Sequence, residues 1–153
     1  MVTVSPCKFV LSLLLAGLLT GCADQVDPNS PEGQRQAIFT KMLNQTEPMA
    51  GMLGERLEFD GEAFAAHAKR LQELASQPWE HFPEPGDSPQ RTAARPEVWS
   101  DPLGFALRIG DFETSAALLA LAVGERVEEP DQVREPLRAV QQACKACHDD
   151  YRR

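Results

Sequence analysis

Five consecutive residues near the end of the chain, Cys144-Lys145-Ala146-Cys147-His148, carry the strongest chemical signal. On a helix, thiols three residues apart share one face, and an imidazole one turn after the first thiol lies beside them. Such a face suits covalent haem: each sulfur adds to one vinyl group of a porphyrin, and the imidazole reaches the iron as an axial ligand. Competing chemistries are less well supplied. Zinc needs a fourth ligand and usually a second paired cluster, and outside the motif the chain offers only His67, His81, Cys7 and Cys22. A thioredoxin-like pair requires a βαβ setting, and a helix holds such thiols in poor geometry for a disulfide. The expectation is one covalent haem c held by Cys144 and Cys147, with His148 on the iron.

Haem of this kind is attached outside the cytoplasm, so the beginning of the chain matters. Lys8 is the sole charged side chain before Asp24, and the apolar run Phe9 to Leu19 follows it. That run has the length of a secretory core segment and is shorter than the roughly 20 residues of a membrane-spanning helix. It ends in Leu19-Thr20-Gly21-Cys22, which resembles the lipobox of bacterial lipoproteins. Residues 1–21 are therefore expected to be a signal peptide with a lipobox, Cys22 the lipidated residue, and residues 22–30 a flexible polar tether. The protein is then expected in the periplasm, held to a bacterial membrane through lipid only.

The 153 residues allow one domain. With 42% hydrophobic and 25% charged side chains the chain can bury a core, which excludes a wholly disordered protein. Its formal charge of −8 argues against a nucleic-acid partner, which would require a basic face. Ala and Leu are abundant and β-branched residues sparse, a helical composition.

Punctuation divides residues 31–153 into four helices. The first runs from about Pro31 to Gly54, with Ile38, Met42, Gln45 and Met49 along one face and Pro48 inside it. The second follows Asp60 as N-cap, with Phe64, Ala68, Leu71 and Leu74 on one stripe, and stops at Pro78. Residues 78–99 contain five prolines and form a long connector. Asp101-Pro102 opens the third helix, whose seam is Phe105, Ile109, Phe112, Ala116, Leu119 and Val123. The fourth begins near Pro130-Asp131 and carries Val133, Leu137, Val140, Cys144, Cys147 and Tyr151, with Pro136 expected to delay its regular part by a turn. The expected fold is all-α: an antiparallel four-helix bundle with haem near one end.

The C-terminal CKACHDDYR, the segment PEVWSD at Pro96 to Asp101, Pro78-Trp79 followed by Phe82, and Arg35-Gln36 with Met42 and Met49 downstream together resemble class II c-type cytochromes, the cytochrome c′ family. The resemblance covers about Pro31 to Arg153. It implies a small exported protein, often a homodimer through its first two helices, that handles electrons or binds diatomic gases such as nitric oxide. It also implies roles for single residues: Arg35 at a haem propionate, Phe39 at the distal position, Arg152 on the proximal side, and Trp79 and Phe82 at the haem edge.

Phe39 has no atom able to ligate iron, whereas low-spin relatives carry Met at that place. The implied iron is five-coordinate and high-spin, closed to water and open to a small uncharged gas. Met42 is the rival, since its thioether could become the sixth ligand of a low-spin carrier. Electron transfer with a redox partner protein leads among the functions, and nitric oxide binding or buffering is the alternative. No enzymatic activity is expected, because no acid–base His accompanies Phe39. His67 is expected to be partly exposed and hydrogen-bonded, and His81 solvated.

Overall fold

The computed structural model describes residues 26–84 and 92–153. Ser30 caps the first helix, α1 (Pro31–Leu53), by accepting the Gly33 N–H at 3.1 Å, and Pro31 occupies an early position where its missing N–H costs nothing. Asp60 starts α2 (Gly61–Leu74) in the same manner, accepting the N–H groups of Glu62 and Ala63. Within the connector stand a 3₁₀ turn, Trp79–His81, and a four-residue helix, α3 (Glu97–Ser100). Asp101 then caps α4 (Pro102–Val123), and α5 (Asp131–Tyr151) ends the chain. Among the described residues no helix is long and apolar enough to cross a membrane.

Three local expectations meet a different outcome or fall outside this range. Residues 1–21 and Cys22 lie outside the described residues. The last part of the expected tether is an ordered turn: Ser30 donates its N–H and hydroxyl to the Asp27 carbonyl, and that oxygen would stand 2.1 Å from a Cβ on Gly33. Pro136 does not delay α5, which is helical from Asp131 onward. An interior proline costs about 3 kcal/mol, but Val133, Leu137 and Val140 on the same turns are buried, and each contributes about 1.5–3 kcal/mol. Burial wins.

The packing order is α1 on α2, α2 on α4, α4 on α5, and α5 back on α1, an antiparallel four-helix bundle. Met49, Phe64, Leu71, Leu74, Leu119 and Leu137 are fully buried at its centre. At one pole the α1–α2 loop meets the α4–α5 loop, where Gly61 accepts the Val127 N–H at 3.2 Å. A Cβ on Gly61 would stand 1.8 Å from the Val127 carbonyl oxygen. Gly61→Ala is accordingly expected to cost about 1–3 kcal/mol, the usual penalty for overpacking; denaturant unfolding of the holoprotein measures it, and an unmoved midpoint would refute a rigid crossing.

Candidate functional site

At the opposite pole α1 and α4 begin, α2 and α5 end, and the connector folds across them. The Asp101 carboxylate that caps α4 also accepts the Tyr151 hydroxyl from α5 at 2.8 Å, which with the Gly104 N–H holds it below the usual carboxylate range. Arg108 of α4 reaches Asp150 of α5 at 3.0 Å. Backbone stitches finish the pole: Arg95 donates to the Tyr151 carbonyl and Arg153 to that of Ala93.

These ties hold the last turns of α5, which carry the motif. Cys144 and Cys147 are free, half-buried thiols one turn apart. Burial, and then the neighbouring Cys147, pushes the Cys144 thiol up to about 11; burial raises Cys147 as well, against the opposing charge of Arg108. Neutral thiols are poor ligands for a bare cation. His148 is exposed as a residue, yet partial desolvation of its ring, and then the Arg152 charge, lower its pKa, against the opposing charge of Asp149. That shift favours the neutral imidazole, the form able to ligate a metal. No group of three or more His, Cys, Asp or Glu side chains able to hold a metal ion occurs among the described residues. Among the described residues zinc therefore lacks a full ligand set, while two thiols and one imidazole are the donor set of covalent haem.

A wall of rings stands at the same pole. The Trp79 ring centre lies 5.9 Å from Phe39, 6.4 Å from Phe82, 6.3 Å from Phe105 and 6.2 Å from Phe112, and Phe105 lies 5.1 Å from Tyr151. The Trp79 indole N–H donates to Glu113 at 2.8 Å. Phe39, Trp79, Phe82 and Phe105 are only half-buried, so the wall keeps apolar surface available to a flat partner.

Arg35 is buried, donates to the His81 carbonyl and to the Thr92 hydroxyl, and places its guanidinium 4.2 Å over the Phe82 ring. Desolvation lowers its pKa and Glu32 opposes that shift. Glu32 is itself buried, with one carboxylate oxygen lacking any hydrogen-bond partner. Arg152 is exposed just past the helix and donates its N–H to the His148 carbonyl at 3.2 Å. Met42 is 6% exposed within the bundle core. His67 is half-buried against Gln45 at 2.9 Å, as expected. His81 is not solvated: its side chain is 18% exposed, because the 3₁₀ turn lays it on the bundle.

Helical period had placed Phe105, Phe112 and Tyr151 on seams but not in this wall. Thr92 and Glu113 gave no sequence signal, since an isolated Thr or Glu finds its partner only through the tertiary fold.

Residues 31–152 match the family model described as Cytochrome C′. The chain belongs to the cytochrome c′ family. A cytochrome c′ from Halomonas halodenitrificans is 35% identical over 130 residues, covering 82% of this chain and 98% of the relative. The structure of cytochrome c prime from Shewanella frigidimarina aligns with a TM-score of 0.75 at 26% identity, over 84% of this chain and 98% of that one. A nitric oxide complex of a cytochrome c prime variant from Alcaligenes xylosoxidans aligns at 0.70 with 29% identity, over 82% and 98%. Cytochromes c′ are themselves a standard example of the up-down-up-down bundle. They carry one covalently bound haem c, and the two cysteines for it are present here.

Proposed function

We propose that this cytochrome c′ binds nitric oxide or a similar small uncharged gas at a five-coordinate iron. Phe39 carries the reading: a half-buried ring packed edge-on to Trp79, with no donor atom to offer. When bound, haem c would supply a redox-active iron able to take a diatomic ligand. Cys144 and Cys147 would hold it to α5 through two thioether bonds, and His148 would ligate its iron. Phe39 and its neighbouring rings would exclude water and give no hydrogen bond to a polar ligand, which favours gases that bond strongly to ferrous iron. Arg35 would face the propionates and Arg152 the proximal side. Met42, buried in the bundle core, is better accounted for as core packing than as a sixth ligand.

Electron transfer is the second reading, favoured by the exposure of His148 and the half-exposure of Cys147, which keep the motif within reach of a partner protein. Export to the periplasm and lipid attachment at Cys22 would hold either function near a membrane. The reduced holoprotein is expected to show a broad high-spin absorption spectrum and to bind nitric oxide tightly. A sharp low-spin spectrum would sink the five-coordinate proposal. Fast exchange with cytochrome partners but no nitric oxide binding would leave electron transfer alone.

A further inference from the structure

Trp79 stands on slight local support, a 3₁₀ turn of three residues with no side-chain cap. The His81 N–H closes that turn on the Pro78 carbonyl at 3.1 Å, and Arg35 donates to the His81 carbonyl. Both contacts hold backbone, and neither fixes the indole. A tryptophan ring turns about two side-chain torsions, and ring-on-ring contacts tolerate several offsets. The directional contact is the hydrogen bond from the indole N–H to Glu113 Oε1 at 2.8 Å, between residues 34 apart in sequence.

The setting of Glu113 points to the same bond. A glutamate on a helix surface ordinarily pairs with a cation three or four residues away, but those positions around Glu113 hold Ile109, Gly110, Ala116 and Ala117. Glu113 is half-buried next to the buried Phe112. Helix α4 thus takes Trp79 at two successive residues, by the Phe112 ring at 6.2 Å and by the Glu113 carboxylate. Phe39 depends on Trp79 in turn. Among the described ring contacts Phe39 meets Trp79 alone, edge-on at 5.9 Å and 64°, whereas Trp79 also meets Phe82, Phe105 and Phe112. A swing of the indole away from Glu113 would withdraw the one ring against which Phe39 rests.

We propose that Glu113 is a positioning residue for gas binding: by fixing the Trp79 indole it fixes Phe39, and so sets how readily a diatomic ligand enters. The inference rests on the gas-binding reading above and adds to it a side chain that stands behind the ring wall. A binding face keeps its shape only when its side chains are locked by packing and by hydrogen bonds from behind. Loss of the acceptor frees the indole, gives Phe39 room to move and speeds entry. Another acceptor at the same place keeps entry slow.

Carbon monoxide binding to the ferrous holoprotein, followed by stopped flow, tests the proposal. Glu113→Leu keeps helix propensity but offers no acceptor, and it is expected to bind about fivefold faster, the factor that corresponds to the net contribution of one hydrogen bond. Glu113→Gln retains an amide oxygen and is expected to match the unaltered protein. Trp79→Phe removes the same N–H from the other partner and is expected to speed binding likewise, which keeps the test open should Glu113→Leu fail to take up haem. In a Phe39→Ala background Glu113→Leu is expected to have no further effect. In the diamagnetic carbon monoxide complex, the indole N–H signal that Trp79→Phe abolishes should lose its exchange protection in Glu113→Leu and keep it in Glu113→Gln. An unchanged rate in Glu113→Leu, an equal acceleration in Glu113→Gln, or the same increment with and without the Phe39 ring would overturn the proposal and leave gas binding standing. Unaltered ferrous holoprotein that binds no carbon monoxide would overturn the gas reading itself, and the positioning role with it.

Discussion

The Cys144→Ala, Cys147→Ala double variant is expected to lose all haem that survives denaturation, while each single variant keeps one thioether and an altered pigment spectrum. Both thiols lie on one face of α5, half-buried and one turn apart, and no other cysteine occurs among the described residues. Acid–acetone extraction followed by haem staining of the denatured chain reads the outcome directly. His148→Ala is the companion, since that residue would ligate without bonding to the porphyrin. Its pigment should stay covalent while the iron loses its nitrogen ligand, so stain and spectrum part company. Covalent haem in the double variant would refute the assignment of both cysteines.

Apoprotein, made by blocking haem attachment, is expected to unfold about 10 °C or more below holoprotein. Phe39, Trp79, Phe82 and Phe105 are half-buried without the cofactor, and completing the burial of each ring contributes on the order of 1 kcal/mol. Four rings sum to about 4 kcal/mol, and each 1 kcal/mol moves the midpoint of a domain this size by roughly 3–6 °C. Thermal scans of both forms under identical conditions decide the matter, and equal melting temperatures would show that the ring wall gains nothing from haem.

Helix boundaries were legible wherever a side chain makes the boundary itself. Asp60 and Asp101 accept the first free N–H groups of α2 and α4, and such caps act over three residues of sequence. Buried seams were legible for a similar reason, because Phe64, Leu71, Leu119 and Val133 recur at helical period. Pro136 misled because its local cost is visible in sequence and the burial that overrides it is not. His81 misled because prolines around it signal a loop, while the packing of that loop over Arg35 depends on contacts 46 residues apart. At the site, the motif named its own chemistry and the resemblance pointed to Phe39, Trp79 and Phe82. The way Trp79 gathers rings from α1, the connector and α4 is a product of tertiary structure alone.

The chain has two tryptophans, and both indoles are fixed at the motif's pole, Trp79 to Glu113 and Trp99 to the Pro83 carbonyl at 2.9 Å. Haem absorbs where indole emits, so resonance energy transfer should leave the folded holoprotein almost dark under ultraviolet excitation. Light would return as that end opens, before or after the rest of the bundle. The opposite pole holds no indole among the described residues, so loosening around Gly61 and Val127 would pass unseen by fluorescence, giving the molecule an optical probe at one end and a blind spot at the other.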